Sequence, residues 1–367
     1  MKVCFIYAEK LDGDDKGREF ALAENFLAGV AASGDEVQLV RKGGLDTSTL
    51  DADAVCMVGV KSLNIFHRMR AEGKQIIYFD KGYLRHRGKH GTWEYWRVAV
   101  NDHHPTAYVA EAKHTPRRWN QIAKRRLIVL RPWRAEDNVG PVIYAGSSDK
   151  YHDFVGLPDP TAYAAEIVRE IKKRTNRPVI YRPKPSWLEA TPVSGAGFSS
   201  RNQTIEAMLP NSWCLVTNGS NSSFDAVLAG VPCIVLGKAV ARSIFSNDLN
   251  ELENPRIPTD DERDQWLANL AWCMFNETEM SEGLAWEAIR PQLFGEYFDD
   301  STTKRVACEV RRPTKAQMKR MDPFRENVIF RPSRKRLARN KPEKTKEERR
   351  RTKPFLKGRP PERLEDE

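Results

Sequence analysis

Residues 213–237, WCLVTNGSNSSFDAVLAGVPCIVLG, decide the fold. The run 213–217 is short and apolar, the pattern of a strand buried on both faces. Residues 218–221 form a small polar loop, and 222–229 read as a helix that Gly230 stops. Residues 232–236 are a second buried strand. Strand, helix and strand within so short a stretch make a parallel crossover unit, because parallel neighbours need a connection long enough to hold a helix. In such sheets ligands gather beyond the C-terminal strand ends, where loops feed helix N-termini. The loop after Thr217 is therefore the first place to seek a site.

Working outward, the same alternation continues N-terminally. Strands are expected at 141–146 and 178–182, with helices at about 160–174 and 202–209. An earlier series has strands at 3–7, 36–40, 54–60 and 75–79. A helix carrying Phe20, Ala23, Phe26, Leu27 and Val30 lies between the first two, and another, 63–71, precedes the fourth. Residues 261–290 read as two helices joined near Asn276-Glu277. The pattern predicts an α/β protein of two Rossmann-like domains facing a cleft, 1–138 and 139–303. A basic tail, 304–367, has too few apolar residues to fold and is expected to be mostly disordered.

The charge is divided in the same way. The 367 residues carry a net +10, but the tail alone holds 23 Lys/Arg against 10 Asp/Glu. Residues 81–134 hold 13 Lys/Arg against Glu94, Asp102 and Glu111, so the remainder is acidic. This excludes a uniformly basic binder and points to one basic surface segment plus a basic tail. No apolar run approaches the length of a membrane helix, and 3–7 reads as a first strand rather than a signal peptide. Cys4, Cys56, Cys214, Cys233, Cys273 and Cys308 are scattered without a CxxC, so buried reduced thiols and a cytoplasmic location are expected.

Four constellations carry chemistry. The loop Asn218-Gly219-Ser220-Asn221-Ser222-Ser223 offers small polar side chains and helix-start N–H groups for an anion; an ordinary N-capped helix is the alternative. Arg182-Pro183-Lys184-Pro185 sets two cations at a strand end, suited to a phosphate leaving group, or else a solvated turn. Gly146-Ser147 after the strand 141–146 is a weaker small-residue loop. Asp80, at the end of the strand 75–79, is placed to act as a general base, with Lys81 and Arg85 beside it. Its alternative is a turn cap or a pair with Lys81. No GxGxxG or GxxxxGK[ST] is present, which argues against a dinucleotide oxidoreductase and a P-loop NTPase.

The segment 81–134 interleaves its cations with Tyr83, Trp93, Tyr95, Trp96, Tyr108, Trp119 and Trp133. Such interleaving suits a polyanion with exposed flat rings, or else the aromatics fill the core. His86, His90, His103, His104 and His114 lack metal-ligand spacing and are expected on the surface, in acceptor contacts. Asp51-Ala52-Asp53 resembles a metal-binding DxD, but it precedes a strand, at the wrong end of the sheet.

The stretch 217–237 resembles the C-terminal-domain motif of GT-B glycosyltransferases, in which a small-residue loop and helix grip a nucleotide-sugar. Residues 181–186 resemble the "RPHP" element of the capsule-polysaccharide-type branch, with Lys184 where that branch has histidine. About 1–290 is similar to a group of glycosyltransferase-like proteins common in bacteriophages, which share Asp80-Lys81-Gly82-Tyr83, the Arg182-to-Ser186 segment and the Gly219-Ser220-Asn221 loop. The resemblance implies an inverting GT-B enzyme that needs no bound metal or other cofactor. It implies a donor held by Gly146, Ser147, Arg182, Lys184 and 218–223, and catalysis by Asp80 with Lys81 and Arg85. Tyr83, His86, Arg97, His103 and His104 are expected to meet the acceptor. The expected acceptor is a hydroxymethylated base in DNA, held by 81–134 and the tail; a surface glycan is the alternative, and a non-catalytic DNA-binding protein a second one.

Overall fold

The computed structural model describes residues 1–7, 18–41, 50–59, 63–84, 95–200 and 202–303. Its strands are Lys2–Tyr7 (β1), Glu36–Arg41 (β2), Ala54–Val58 (β3), Gln75–Lys81 (β4), Trp96–Val100 (β5), Val142–Ala145 (β6), Val179–Arg182 (β7), Gly197–Phe198 (β8), Cys214–Thr217 (β9), Cys233–Val235 (β10) and Met274–Phe275 (β11). The helices of the first half are Arg18–Ala32 (α1), Leu63–Ala71 (α2), Thr106–Glu111 (α3) and Arg117–Arg126 (α4). Those of the second half are Asp149–Val155 (α5), Pro160–Lys172 (α6), Ile205–Met208 (α7), Ser222–Ala229 (α8), Asp260–Ala271 (α9), Glu277–Ser281 (α10) and Leu284–Ile289 (α11).

Two sheets result. One has the order β11-β5-β4-β3-β1-β2, the other β10-β9-β6-β7-β8. The second is parallel throughout. In the first, β1 to β4 are parallel, while β5 runs antiparallel to β4 and β11 antiparallel to β5. The strands expected from the apolar runs are present; β5, β8 and β11 are additions.

The antiparallel β5 makes residues 95–134 part of the fold rather than an irregular segment. Tyr83, Tyr95, Trp96, Tyr108 and Trp119 are buried, so these aromatics fill the core rather than a binding surface. His103, His104 and His114 are buried as well, against the expectation of surface contacts. The reason is that β5 and α4 pack apolar faces inward and take the intervening side chains with them.

Each sheet has one private face. Cys4, Ile6, Met57, Met69 and Tyr78 form a cluster on the outer side of the first, and Val142, Tyr144, Val168 and Tyr181 one on the outer side of the second. The inner faces share a single apolar cluster containing Phe5, Phe26 and Phe79 together with Ile143, Leu215 and Phe224. After β10 the chain returns to the first sheet: Trp286 packs edge-on against Phe26 of α1, and its indole N–H donates to Asp35 at 2.8 Å. Cys4, Cys56, Cys214, Cys233 and Cys273 are free and buried. Among the described residues no helix is long and apolar enough to cross a membrane.

Candidate functional site

The C-terminal end of β4 and the beginning of β5 lie side by side, because the antiparallel register sets Asp80 opposite Arg97. Arg97 Nη2 donates to Asp80 Oδ2 at 2.9 Å. Asp80 also accepts from the Lys81 backbone N–H at 2.7 Å and, more distantly, from the Tyr78 hydroxyl at 3.5 Å. Tyr78 and Asp80 share a face because side chains alternate along a strand. Asp80 keeps 32% of its side chain exposed, whereas Arg97 keeps 1%. The carboxylate is therefore accessible and its partner is not.

Asn101 ends β5 with a φ of 59°, a left-handed conformation that asparagine tolerates better than most residues. The chain then doubles back across β4, setting the His103 ring 5.0 Å from Tyr78 and its Nε2 4.0 Å from Asp80 Oδ2. His104 lies behind it. Its Nδ1 accepts from the Tyr83 hydroxyl at 2.8 Å and from Arg97 Nη1 at 3.0 Å. A guanidinium can only donate, so Nδ1 is the acceptor and the neutral imidazole carries its proton on Nε2. Burial, then the charge of Arg97, hold both histidines well below the ordinary histidine pKa; Lys184 and Lys238 add to this at His103. Both rings are uncharged at neutral pH.

The second sheet reaches the same place. Arg97 Nη1 donates to Asn221 Oδ1 at 3.0 Å. Tyr151 and Phe154 of α5 flank His103, with ring centroids 5.8 and 5.3 Å away. Lys238, just after β10, pairs with Asp102 at 3.5 Å, and Tyr83 packs on Phe224. Lys184 stands exposed at the end of β7. Its ammonium is drawn below the ordinary lysine value by desolvation; Asp80 works in the opposite direction, while Lys81 and Arg97 reinforce the lowering.

The small-residue loop is built differently from expectation. Ser222 and Ser223 are buried and turn their hydroxyls back onto Ser220, at 2.9 and 3.0 Å, the local capping such residues favour. Asn218 is used internally: it accepts from the Tyr151 hydroxyl at 3.0 Å and donates to the Tyr163 hydroxyl at 2.9 Å. Tyr151 lies so close over Gly219 that a Cβ there would fall 2.0 Å from the ring. Gly219, Ser220 and Asn221 remain half-exposed. Any anion on this loop meets these three, not the whole run 218–223.

The other expected residues fall as follows. Ser147 and Arg182 are buried, and Gly146 packs on the Tyr181 ring. Lys81 is exposed. Arg85 and His86 lie outside the described residues, as does the tail from 304. Tyr83, Arg97 and His104, expected to touch the acceptor, are instead buried joints between the sheets. Sequence reasoning missed Tyr78, Tyr151 and Lys238; for Tyr78 the two-residue alternation with Asp80 was the available signal.

These elements define an α/β protein with two largely parallel sheets whose C-terminal strand ends meet. No family model matches the chain, and no curated protein matches it. Solved structures similar to it include KpsC of Thermosulfurimonas dismutans, as a β-Kdo 2,7 transferase (11% identity, 78% of this chain and 99% of that one, TM-score 0.45). The β-Kdo 2,4 transferase of the same organism's KpsC shows 14% identity over 69% of this chain and 89% of that one, with a TM-score of 0.40. UDP-GlcNAc 2-epimerase from Neisseria meningitidis, bound to UDP-GlcNAc, shows 10% identity over 81% and 100%, with a TM-score of 0.29.

Proposed function

We propose that this chain is a GT-B-type glycosyltransferase that moves a sugar from a nucleotide-sugar to a hydroxyl acceptor. One observation carries the reading: the exposed carboxylate of Asp80, from the first sheet, is joined through Arg97 to Asn221 of the second, and Lys184 stands exposed just past β7 of that same sheet. A base from one side and a cation and polar loop from the other is what glycosyl transfer needs, since one partner must lose a proton while the leaving phosphate gains charge. In this reading residues 1–138 present the base and 139–303 hold the donor.

Asp80 takes the proton of the acceptor hydroxyl as its oxygen attacks the anomeric carbon. The bond to the leaving phosphate breaks, and Lys184, with the half-exposed Gly219–Asn221 stretch, stabilises the charge that develops there. A single displacement of this kind inverts the anomeric configuration and requires no metal. The neutral His103 beside Asp80 shields it from water without competing for its charge.

Of the two acceptors, a glycan hydroxyl is the better supported. The hydroxymethylated-base reading rested on the basic tail, on the resemblance to phage proteins and on aromatics exposed among the cations of 81–134; of these grounds the last is weakened, since five of those aromatics are buried, as are Arg97 and Arg118. Purified protein incubated with radiolabelled UDP-, GDP-, dTDP- and CMP-sugars, against glycan acceptors and hydroxymethylated DNA, tests both. Transfer to glycan is expected; transfer to the DNA alone would reverse the acceptor assignment. Asp80→Asn should abolish transfer in a protein that still binds nucleotide measurably. Activity near wild type in that variant would remove Asp80 as the base.

A further inference from the structure

Resting on the donor and base assignments just made, we propose that Arg97 is a positioning residue that couples occupancy of the loop 219–221 to the orientation of Asp80.

Three observations converge on its guanidinium. Arg97 is 1% exposed, so it is out of reach of a substrate and its effect on one must pass through other groups. Its Nη2 holds Asp80 Oδ2 at 2.9 Å, and its Nη1 holds Asn221 Oδ1 at 3.0 Å and His104 Nδ1 at 3.0 Å. Among the described residues its Nε has no hydrogen-bond partner, so these three acceptors, with the flanking rings of Tyr83 and Tyr78, fix where the guanidinium lies.

One path therefore leads from the loop to the carboxylate, from Asn221 through Arg97 to Asp80. The planar guanidinium makes it geometrically strict: a movement that draws Asn221 away rotates the plane that holds Asp80. The imidazole can serve as acceptor toward Arg97 only because it is neutral, and its burial keeps it so.

Gly219 and Asn221 belong to the half-exposed stretch assigned to the leaving phosphate. A bound nucleotide that shifts this loop thus changes the hold on Asp80, and by reciprocity the state of Asp80 changes nucleotide affinity.

A double-mutant cycle reads this without requiring catalysis. Affinities for UDP, CMP, GDP and dTDP are measured by titration calorimetry on the full chain for wild type, Asp80→Asn, Asn221→Ala and the double variant. Using a nucleotide that binds, Asp80→Asn is expected to change Kd about fivefold or more in wild type and less than about twofold in the Asn221→Ala background. Arg97→Lys, which keeps the charge but not the fork, should behave as Asn221→Ala does; Asn221 sits half-exposed on a loop, so the cycle stands even if Arg97→Lys fails to fold. An equal change in both backgrounds would mean that Asp80 acts on the nucleotide by direct electrostatics, and would overturn the coupling. No effect of Asp80→Asn in either background would overturn it too. Absence of binding by all four nucleotides to cooperatively melting protein would overturn the donor assignment itself, a result distinct from the others.

Discussion

From the sequence Asp80 reads as a general base with Lys81 and Arg85 beside it, or else as a turn cap or a pair with Lys81; its ion-pair partner is Arg97, seventeen positions on. The difference lies in register: antiparallel pairing sets the two opposite each other, and nothing local encodes that. The histidines show the same principle at the level of charge. His103, His104 and His114 are each pushed below the ordinary value of 6.5, in every case first by burial; at His114 the Asp300 carboxylate only partly offsets it. A histidine with a folded pKa below its unfolded one binds fewer protons folded than unfolded, so its stabilising effect is present above about pH 6.5 and is lost as pH falls. Chemical denaturation between pH 7.5 and 5 should show stability declining below about 6.5, by up to ~1.4 kcal/mol per pH unit for each such ring. A flat profile would mean that the three rings titrate normally. His114→Phe keeps the ring volume and should flatten the slope, though it leaves the Tyr108 hydroxyl without its 2.6 Å partner.

At the scale of elements, α4 is the least expected anchor. Its sequence, RRWNQIAKRR, reads as a solvated basic helix, and its exposed face supports that. Arg118 nevertheless points inward, fully buried, donating to both Glu279 carboxylate oxygens at 3.0 and 2.8 Å and to the Ala271 and Met274 carbonyls. The same Glu279 completes the capping box that starts α10. Replacing it with alanine strands a buried guanidinium, so Glu279→Ala should destabilise by about 3–5 kcal/mol in urea unfolding. Gly230, which ends α8, was legible as a helix stop. What the sequence did not reveal is that the segment after α4 crosses over it. With φ at 68° and a would-be Cβ 2.0 Å from the Pro132 carbonyl oxygen, Gly230→Ala combines backbone strain with a clash against main chain. Loss of more than about 2 kcal/mol is expected, read as a drop in thermal midpoint.

The whole molecule is less divided than its alternating pattern implies. One apolar cluster runs through the inner faces of both sheets, and the helices after β10 return to the first. Calorimetry should therefore give one unfolding transition for the folded body, with calorimetric and van't Hoff enthalpies equal. Two resolved transitions would show that the sheets unfold independently. The sequence by itself determined the parallel strands, the loops at their C-terminal ends and hence Asp80, Lys184 and Gly219–Asn221 as site candidates. Those features follow from local periodicity and from the topology that parallel crossovers impose. Only the tertiary structure decided that Ser222, Ser223 and Asn218 are spent on internal bonds, that the aromatics of 81–134 belong to the core, and that Arg97 is a buried joint. Each of these depends on which distant groups compete for a polar atom once water is excluded, as with Arg97 and Asn221, 124 positions apart. Pairings of that range carry no periodicity, so they become visible only when the chain has folded.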